Sequence, residues 1–250
     1  MNWSSLMVAA VALLSGAAGA AEIKVLSTQA TEQSYRELVP QFEKATGHKV
    51  TTIFTGTLDA DKRVAANEQH DLLIMSQSSI DAHVKGGKVV QGSRVDLARS
   101  GVAVGVKAGA MKPDISSVDA LKRTIMGAKS IGYSTGPSGN YIITLFERLG
   151  VLDQVKPKMK QTATGVFVGS IIASGEVEIG FQQVSELSQY EGVDYVGPLP
   201  AEVQNYTTFS SGILSNAKAA EAARALVRYI TSPPDGAVER KRGMEPAGGG

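Results

Sequence analysis

IKVLSTQATEQSYRELVPQFEKATGHKVTTIFT, Ile23 to Thr55, decides the fold, because it reads as one complete strand–helix–strand unit. IKVLST (Ile23–Thr28) has the length and apolar content of a strand, and KVTTIFT (Lys49–Thr55) supplies a second. Between them a helix is predicted from about Thr31 to Ala45. Thr31 is placed as its cap, Tyr35, Leu38, Val39 and Phe42 give it an apolar stripe at helical spacing, and Gly47 closes it.

Outward from this unit the alternation continues. A polar helix is expected from roughly Asp59 to Asn67. DLLIMS (Asp71–Ser76) then reads as a buried parallel strand, and Ser79 to Lys85 as a short helix ended by Gly86-Gly87. SGVAVGVKAG (Ser100–Gly109) opens a second set. It is followed by a helix capped at Ser116 or Ser117, with Val118, Leu121, Ile125 and Met126 turned inward. Next come the strand SIGYS (Ser130–Ser134), a helix Tyr141–Leu149 ended by Gly150, the helix VGSIIASG, the strand EIGFQ and the short helix SELSQ. VDYVGPLP and TTFSSGIL read as strands separated by a polar loop, and a last helix spans Ala219–Thr231. Strands alternating with helices specify an α/β fold with a mostly parallel sheet. The break between the two sets predicts two lobes: residues 22–98 with 198–247, and residues 99–197.

The 250 residues, 43% of them hydrophobic, suffice for one large core or two modest ones. A net charge of +1 provides no basic field for nucleic acid, and the lack of cysteine excludes a disulfide framework and thiol chemistry. The N-terminus sets the compartment. Leu6 to Leu14 is an apolar run far shorter than the roughly 20 residues of a membrane span, and small residues follow it up to Ala21. This pattern predicts a signal peptide over residues 1–21, cut after Ala20 or Ala21, and export to the periplasm. MNWSS, ahead of the apolar run, carries no Lys or Arg, which is unusual for such a leader.

Open α/β sheets bind ligands at the carboxyl ends of their strands, so the loops there are the candidate site. They offer Thr28, Gln29, Ala30 and Thr31; Gly56 and Thr57; Ser76 and Gln77; Ser134, Ser138, Gly139, Asn140 and Tyr141; and Gln182 and Gln183. Each loop is short, polar and mostly uncharged, and each leads into a helix. Hydroxyls, amides and free N–H groups at helix starts hold anions without a formal cation. Taken singly, each loop reads first as ordinary helix capping; five of them at equivalent strand ends point to a ligand site. STGPSGN has glycines for close approach but is no Walker A loop. His48, His70 and His83 fall at no metal-ligand spacing, and there is no G-x-S-x-G elbow, so no metal or cofactor is expected. Arg63, Arg94 and Arg99 are the cations nearest the expected cleft. Arg99, just before the first crossing strand, is placed either to hold a carboxylate bidentately or to make a structural salt bridge.

The order of motifs carries a resemblance. IKVLSTQATEQSYRELVPQFEKATGHKV, DLLIMSQSSID, YSTGPSGNYIITLFERLG and GEVEIGFQQVSEL, closed by GPLPAEVQNYTTFSSGIL, LVRYITSP and GMEP, resemble the type II periplasmic binding proteins. The likeness is to the molybdate-binding branch of ABC-transporter proteins. It implies two Rossmann-like lobes, crossover hinge strands and a small anion, a molybdate-like oxyanion or an organic acid, held between closing lobes. It further implies a membrane permease as partner, and a monomer is expected. Three usual oxyanion contacts of that branch are altered here: Ala30-Thr31 stands for Ala-Ser-Leu, Gly56-Thr57 for paired serines, and a late tyrosine falls at about Gln183. The same resemblance extends to the aconitate isomerases, periplasmic enzymes that shift a double bond in a tricarboxylic acid. That alternative requires a base, for which Glu32, Asp59, Glu186 and Tyr141 lie in candidate loops.

Overall fold

The computed structural model describes residues 19–232 and 236–247, so the apolar run of the expected signal peptide lies outside the described residues. The first lobe is built from β1 (Glu22–Thr28), α1 (Glu32–Thr46), β2 (Lys49–Thr55), α2 (Thr57–Ala65), β3 (Leu72–Ser76) and α3 (Gln77–Lys85). β1 lies between β2 and β3, parallel to both. Side chains of β1 and β3 alternate between two cores. Ile23, Val25, Leu72 and Ile74 pack under α1, whereas Leu26, Leu73 and Met75 pack with Ala60, Val64 and Ile80 of α2 and α3. Burial on both faces is why Leu72 to Met75 form an unbroken apolar run rather than an alternating one.

β4 (Val95–Lys107) crosses from one lobe to the other. Up to Gly101 it pairs with β9 (Tyr206–Ile213), and from Val102 onward it pairs with β7 (Ile179–Gln183) and β8 (Val193–Pro198). The second lobe adds α4 (Val118–Gly127), β5 (Ile131–Tyr133), α5 (Pro137–Arg148), α6 (Leu152–Val155), β6 (Met159–Gln161), α7 (Val168–Ala173) and α8 (Val184–Leu187). In this lobe β5 runs parallel to β6 and β7. After β9 the chain ends in α9 (Ala220–Ile230), α10 (Gly236–Lys241) and β10 (Glu245–Pro246), which pairs with Ala98 and Arg99 of β4. Each lobe is therefore a small parallel sheet covered by helices, and every strand that joins or crosses the lobes is antiparallel, more mixed than the alternation predicts. At the crossing, the Gln204 amide accepts from Val102 N (2.8 Å) and donates to Val102 O (3.0 Å), acting as a local substitute for a missing strand partner.

Some elements differ from expectation. β4 begins at Val95 rather than Ser100: Asp96 and Arg99 interrupt the apolar run, yet this segment pairs with β9 on either side of a register shift between Asp96 and Ala98. α5 begins at Pro137 rather than Tyr141, since proline is pre-set for the first helical position. Ser117, not Ser116, caps α4 by accepting from Ala120 N, and Met126 lies outside the core, 38% exposed.

Candidate functional site

The carboxyl ends of β1, β2, β5, β6 and β7 converge on one cleft between the lobes. It encloses about 420 Å³ of atom-free space, part of it continuous with solvent. Thr28, Gln29, Ala30, Gly56, Thr57, Ser134, Ser138, Gln182 and Gln183, all singled out by the strand-end argument, line it. Phe209 of β9 also lines it, itself almost completely buried. None of the described residues lining the cleft is Lys, Arg or His.

The first lobe contributes hydroxyls. Thr28 is 6% exposed and its Oγ1 is buried without a hydrogen-bond partner, a costly state unless something in the cleft accepts from it or donates to it. Beside it Thr55 Oγ1 donates to Asp59 Oδ2 (2.7 Å), which Arg63 Nε also meets at 3.0 Å. The hydroxyl and then the guanidinium hold the Asp59 carboxyl below its ordinary range, so it is ionised and fully engaged.

In the second lobe, α5 brings Ser134 and Ser138 together, with hydroxyls 3.2 Å apart, and Gly136 N donates to Ser134 Oγ. Gly139 is required here: a Cβ would lie 1.8 Å from the Ser134 carbonyl oxygen. Asn140 N donates to Gly136 O, whereas the Ser138 amide finds no acceptor among the described residues and lies at the end of a twelve-residue helix.

The lobes meet over the cleft. Gln29 Nε2 donates to Gly165 O (2.9 Å), and Gly56 lies so close that a Cβ on it would be 2.3 Å from Gly165 N. Gly165 itself has φ +76°, in the left-handed region. Gly165 and Val166, in the loop after β6, were not among the expected contacts. Lys158, Met159, Lys160 and Gln161 lack the composition of a strand, and only β6 being read as one would have flagged the loop beyond it.

The glutamines line the cleft but their amides are already used. Gln182 Oε1 accepts from Val168 N (2.7 Å), which turns Nε2 onto Glu186 Oε1 at 2.9 Å. The Gln183 amide is oriented so that its nitrogen donates to the carbonyls of Ser100 (2.9 Å) and Gly101 (3.2 Å) and its oxygen accepts from Thr207 Oγ1. It thereby ties β7 to both crossing strands. Among the four carboxylates and phenols considered as a base, Glu186 alone lines the cleft. Burial pushes its carboxyl up to about 7, against the opposing bonds from the Gln183 amide and Gln182 and with a small further push from Glu32. Glu32 is paired with Arg36 at 2.7 Å, and Tyr141 donates its hydroxyl to Val203 O.

Several expected contacts lie elsewhere. Thr31 Oγ1 faces Ser27 Oγ within the first lobe (3.1 Å). Ser76 caps α3 by accepting from Ser79 N, with Gln77 as that helix's first residue. Asn140 is exposed on α5. Arg99 is ion-paired to Glu245 at 2.7 Å and stacks over the Tyr206 ring at 4.9 Å, so it belongs to the outer face of the hinge.

Two lobes, antiparallel crossing strands and a polar cleft at strand ends define a type II periplasmic binding protein fold. Residues 23–245 match the family model of bacterial extracellular solute-binding proteins. Aconitate isomerase from Pseudomonas sp. is 36% identical over 230 residues, covering 90% of this chain and 87% of that protein. The molybdate-binding protein ModA of Azotobacter vinelandii is 27% identical over 227 residues, 88% of each chain. The solved structure of the A. vinelandii periplasmic molybdate-binding protein superposes with a TM-score of 0.73 at 19% identity, covering 89% of this chain and 98% of that one. The chain belongs to the bacterial extracellular solute-binding protein family. Among the described residues no helix is long and apolar enough to cross a membrane.

Proposed function

We propose that the cleft captures a small anion between its closing lobes, and that the closed form docks on the membrane permease of an ABC transporter. The observation that carries this reading is the Thr28 hydroxyl, buried at the cleft and without a partner, in a site that offers donors from both lobes and no cation. The moving units are residues 22–98 with 198–247 and residues 99–197, joined where β4 changes partners at Gly101 and Val102. The protein acts as an exported monomer whose leader is removed beside Ala20. β1 starts at Glu22, and Ala21 is held by its N–H on His48 Nδ1 and its carbonyl on Lys49 N, which favours cutting after Ala20 over Ala21.

Calorimetric titration with molybdate, tungstate, sulfate, citrate and cis- and trans-aconitate tests the reading directly. Binding of none of them would sink it. Thr28→Val supplies the residue test. Removing a hydroxyl that has no partner in the empty cleft should leave stability equal or raise it by up to about 1 kcal/mol, while anion affinity falls roughly tenfold. A variant that loses stability and keeps affinity would assign Thr28 to the core.

A second reading is favoured by one observation: Glu186, a carboxyl whose proton affinity lies near neutrality, lines the cleft of a chain 36% identical to an aconitate isomerase. Moving a double bond within a tricarboxylate needs a group that removes a proton and redelivers it, and a base poised near the working pH does so best. Incubation with trans-aconitate, followed chromatographically for the cis isomer, decides it. Turnover abolished by Glu186→Gln supports the enzyme, and tight molybdate binding without turnover removes it.

A further inference from the structure

We propose that Glu186 makes capture proton-coupled: the cleft binds an anion together with one proton held by the Glu186 carboxyl, and so favours anions that bring an exchangeable proton over fully ionised tetrahedral dianions. The inference rests on reading the cleft as an anion site and adds what that site selects. The geometry requires it. Glu186 faces the same space as Thr28, Ser134 and Ser138, and among the described residues no Lys, Arg or His lines that space to offset a second negative charge. Its carboxylate is held by Gln182, which the Val168 amide orients so that Nε2 donates to Glu186 Oε1. Two anions confined together in a partly buried site cannot both remain ionised, so one of them takes up a proton.

The charged groups on the elements packed around α8 do not relieve this. At the start of α1, Glu32 adds negative charge and is itself paired with Arg36. On β4, Arg99 is paired with Glu245, and near the C-terminus Arg242 is paired with Glu37 and bonded to Gln189. On β8, Asp194 accepts from Gly109 N, and the Tyr195 phenol is pushed up by burial and stays neutral. β7 and α7 carry no ionisable side chain. Burial already pushes the Glu186 carboxyl up to about 7. A bound anion raises it further, so at pH above that value each captured dianion must draw one proton from solvent.

The experiment is calorimetric titration of the full chain with molybdate, sulfate and inorganic phosphate from pH 6 to 9, in two buffers of different ionisation enthalpy. The expected result for the two dianions is a flat association constant below about pH 7. Above it the constant falls roughly tenfold per pH unit, with one proton taken up per anion bound. Inorganic phosphate, which as hydrogenphosphate still carries a proton throughout this range, should lose less. Glu186→Gln should flatten the slope and bind sulfate or molybdate more than tenfold tighter than wild type at pH 8.5. Proton uptake measured on the wild type keeps the test intact if that variant does not fold. Binding that is independent of pH, or a Glu186→Gln slope equal to wild type, overturns the proton coupling and leaves the anion site standing. Absence of binding by every probe at every pH overturns both.

Discussion

The two walls of the cleft are built by the same device and end in different chemistry. In the first lobe each nearby acid is paired with an arginine: Asp59 with Arg63, with a further bond from Thr55, and Glu32 with Arg36. What that wall exposes is an unpartnered hydroxyl. In the second lobe Glu186 is left at the cleft with amide partners alone. One wall is thus a plain donor surface, and the other holds a group that exchanges protons near neutral pH. A molecule with two walls of the first kind would grip any small anion. The asymmetry is what gives this cleft a preference among anions.

The same contrast extends to the supports behind the walls. In each lobe one strand is preceded by a carboxylate that accepts the backbone N–H of a residue at or near the start of its parallel neighbour. Asp71, before β3, takes Lys24 N, and Glu178, before β7, takes Lys129 N. Asp71 is buried and also accepts from Lys218 N (2.7 Å) and Ala219 N (2.9 Å), fixing the start of α9 to the sheet, whereas Glu178 is exposed. Asp71→Ala leaves three amides short of an acceptor and should cost about 3–5 kcal/mol in denaturant unfolding. Glu178→Ala, compensated by water, should cost under about 1 kcal/mol. Equal losses would show that the two supports are equivalent after all.

Gly56→Ala breaks the contact where the walls meet. Its Cβ would press on the Gly165 backbone, and backbone yields less readily than a side chain. The expected penalty of about 1–3 kcal/mol falls on the closed form, so anion affinity drops roughly 5- to 150-fold while the thermal midpoint of the ligand-free protein changes little. Small-angle scattering should show the variant more open in the presence of ligand. Wild-type affinity in Gly56→Ala would mean that the lobes need not touch to hold the ligand.

Most of the first wall was legible in the sequence and less of the second, for physical reasons. β3 is buried throughout and β1 from Val25 onward, and β2, only half-buried, is rich in β-branched and aromatic residues, so composition announces all three, and the loops after β1 and β2 then follow from the strand-end rule. β6 is three residues long, with Lys160 and Gln161 exposed, and nothing local marks it as a strand. Its loop, carrying Gly165, therefore went unseen. The amide roles of Gln182 and Gln183 were invisible for another reason. Whether a glutamine faces a ligand or a backbone depends on neighbours distant in sequence: Val168 for one, Ser100 and Gly101 for the other. Hinge pairing is likewise non-local, which is why Arg99 read equally well as a ligand contact and as a salt bridge.

Arg99 supplies the smallest expected effect and tests how far the site extends along β4. It lies on β4 ahead of the point where the strand changes partners, its guanidinium paired to a half-exposed Glu245 and stacked on Tyr206. Solvent screens such a pair, so Arg99→Ala should cost at most about 1 kcal/mol of stability. Because Arg99 does not line the cleft, carboxylate affinity should stay within about twofold of wild type. A desolvated arginine–carboxylate contact would instead lose roughly 2–5 kcal/mol on truncation. Titrating citrate into wild type and Arg99→Ala separates these outcomes by more than a factor of ten. A large loss would place a cation at the site and remove the reason for Glu186 to take up a proton.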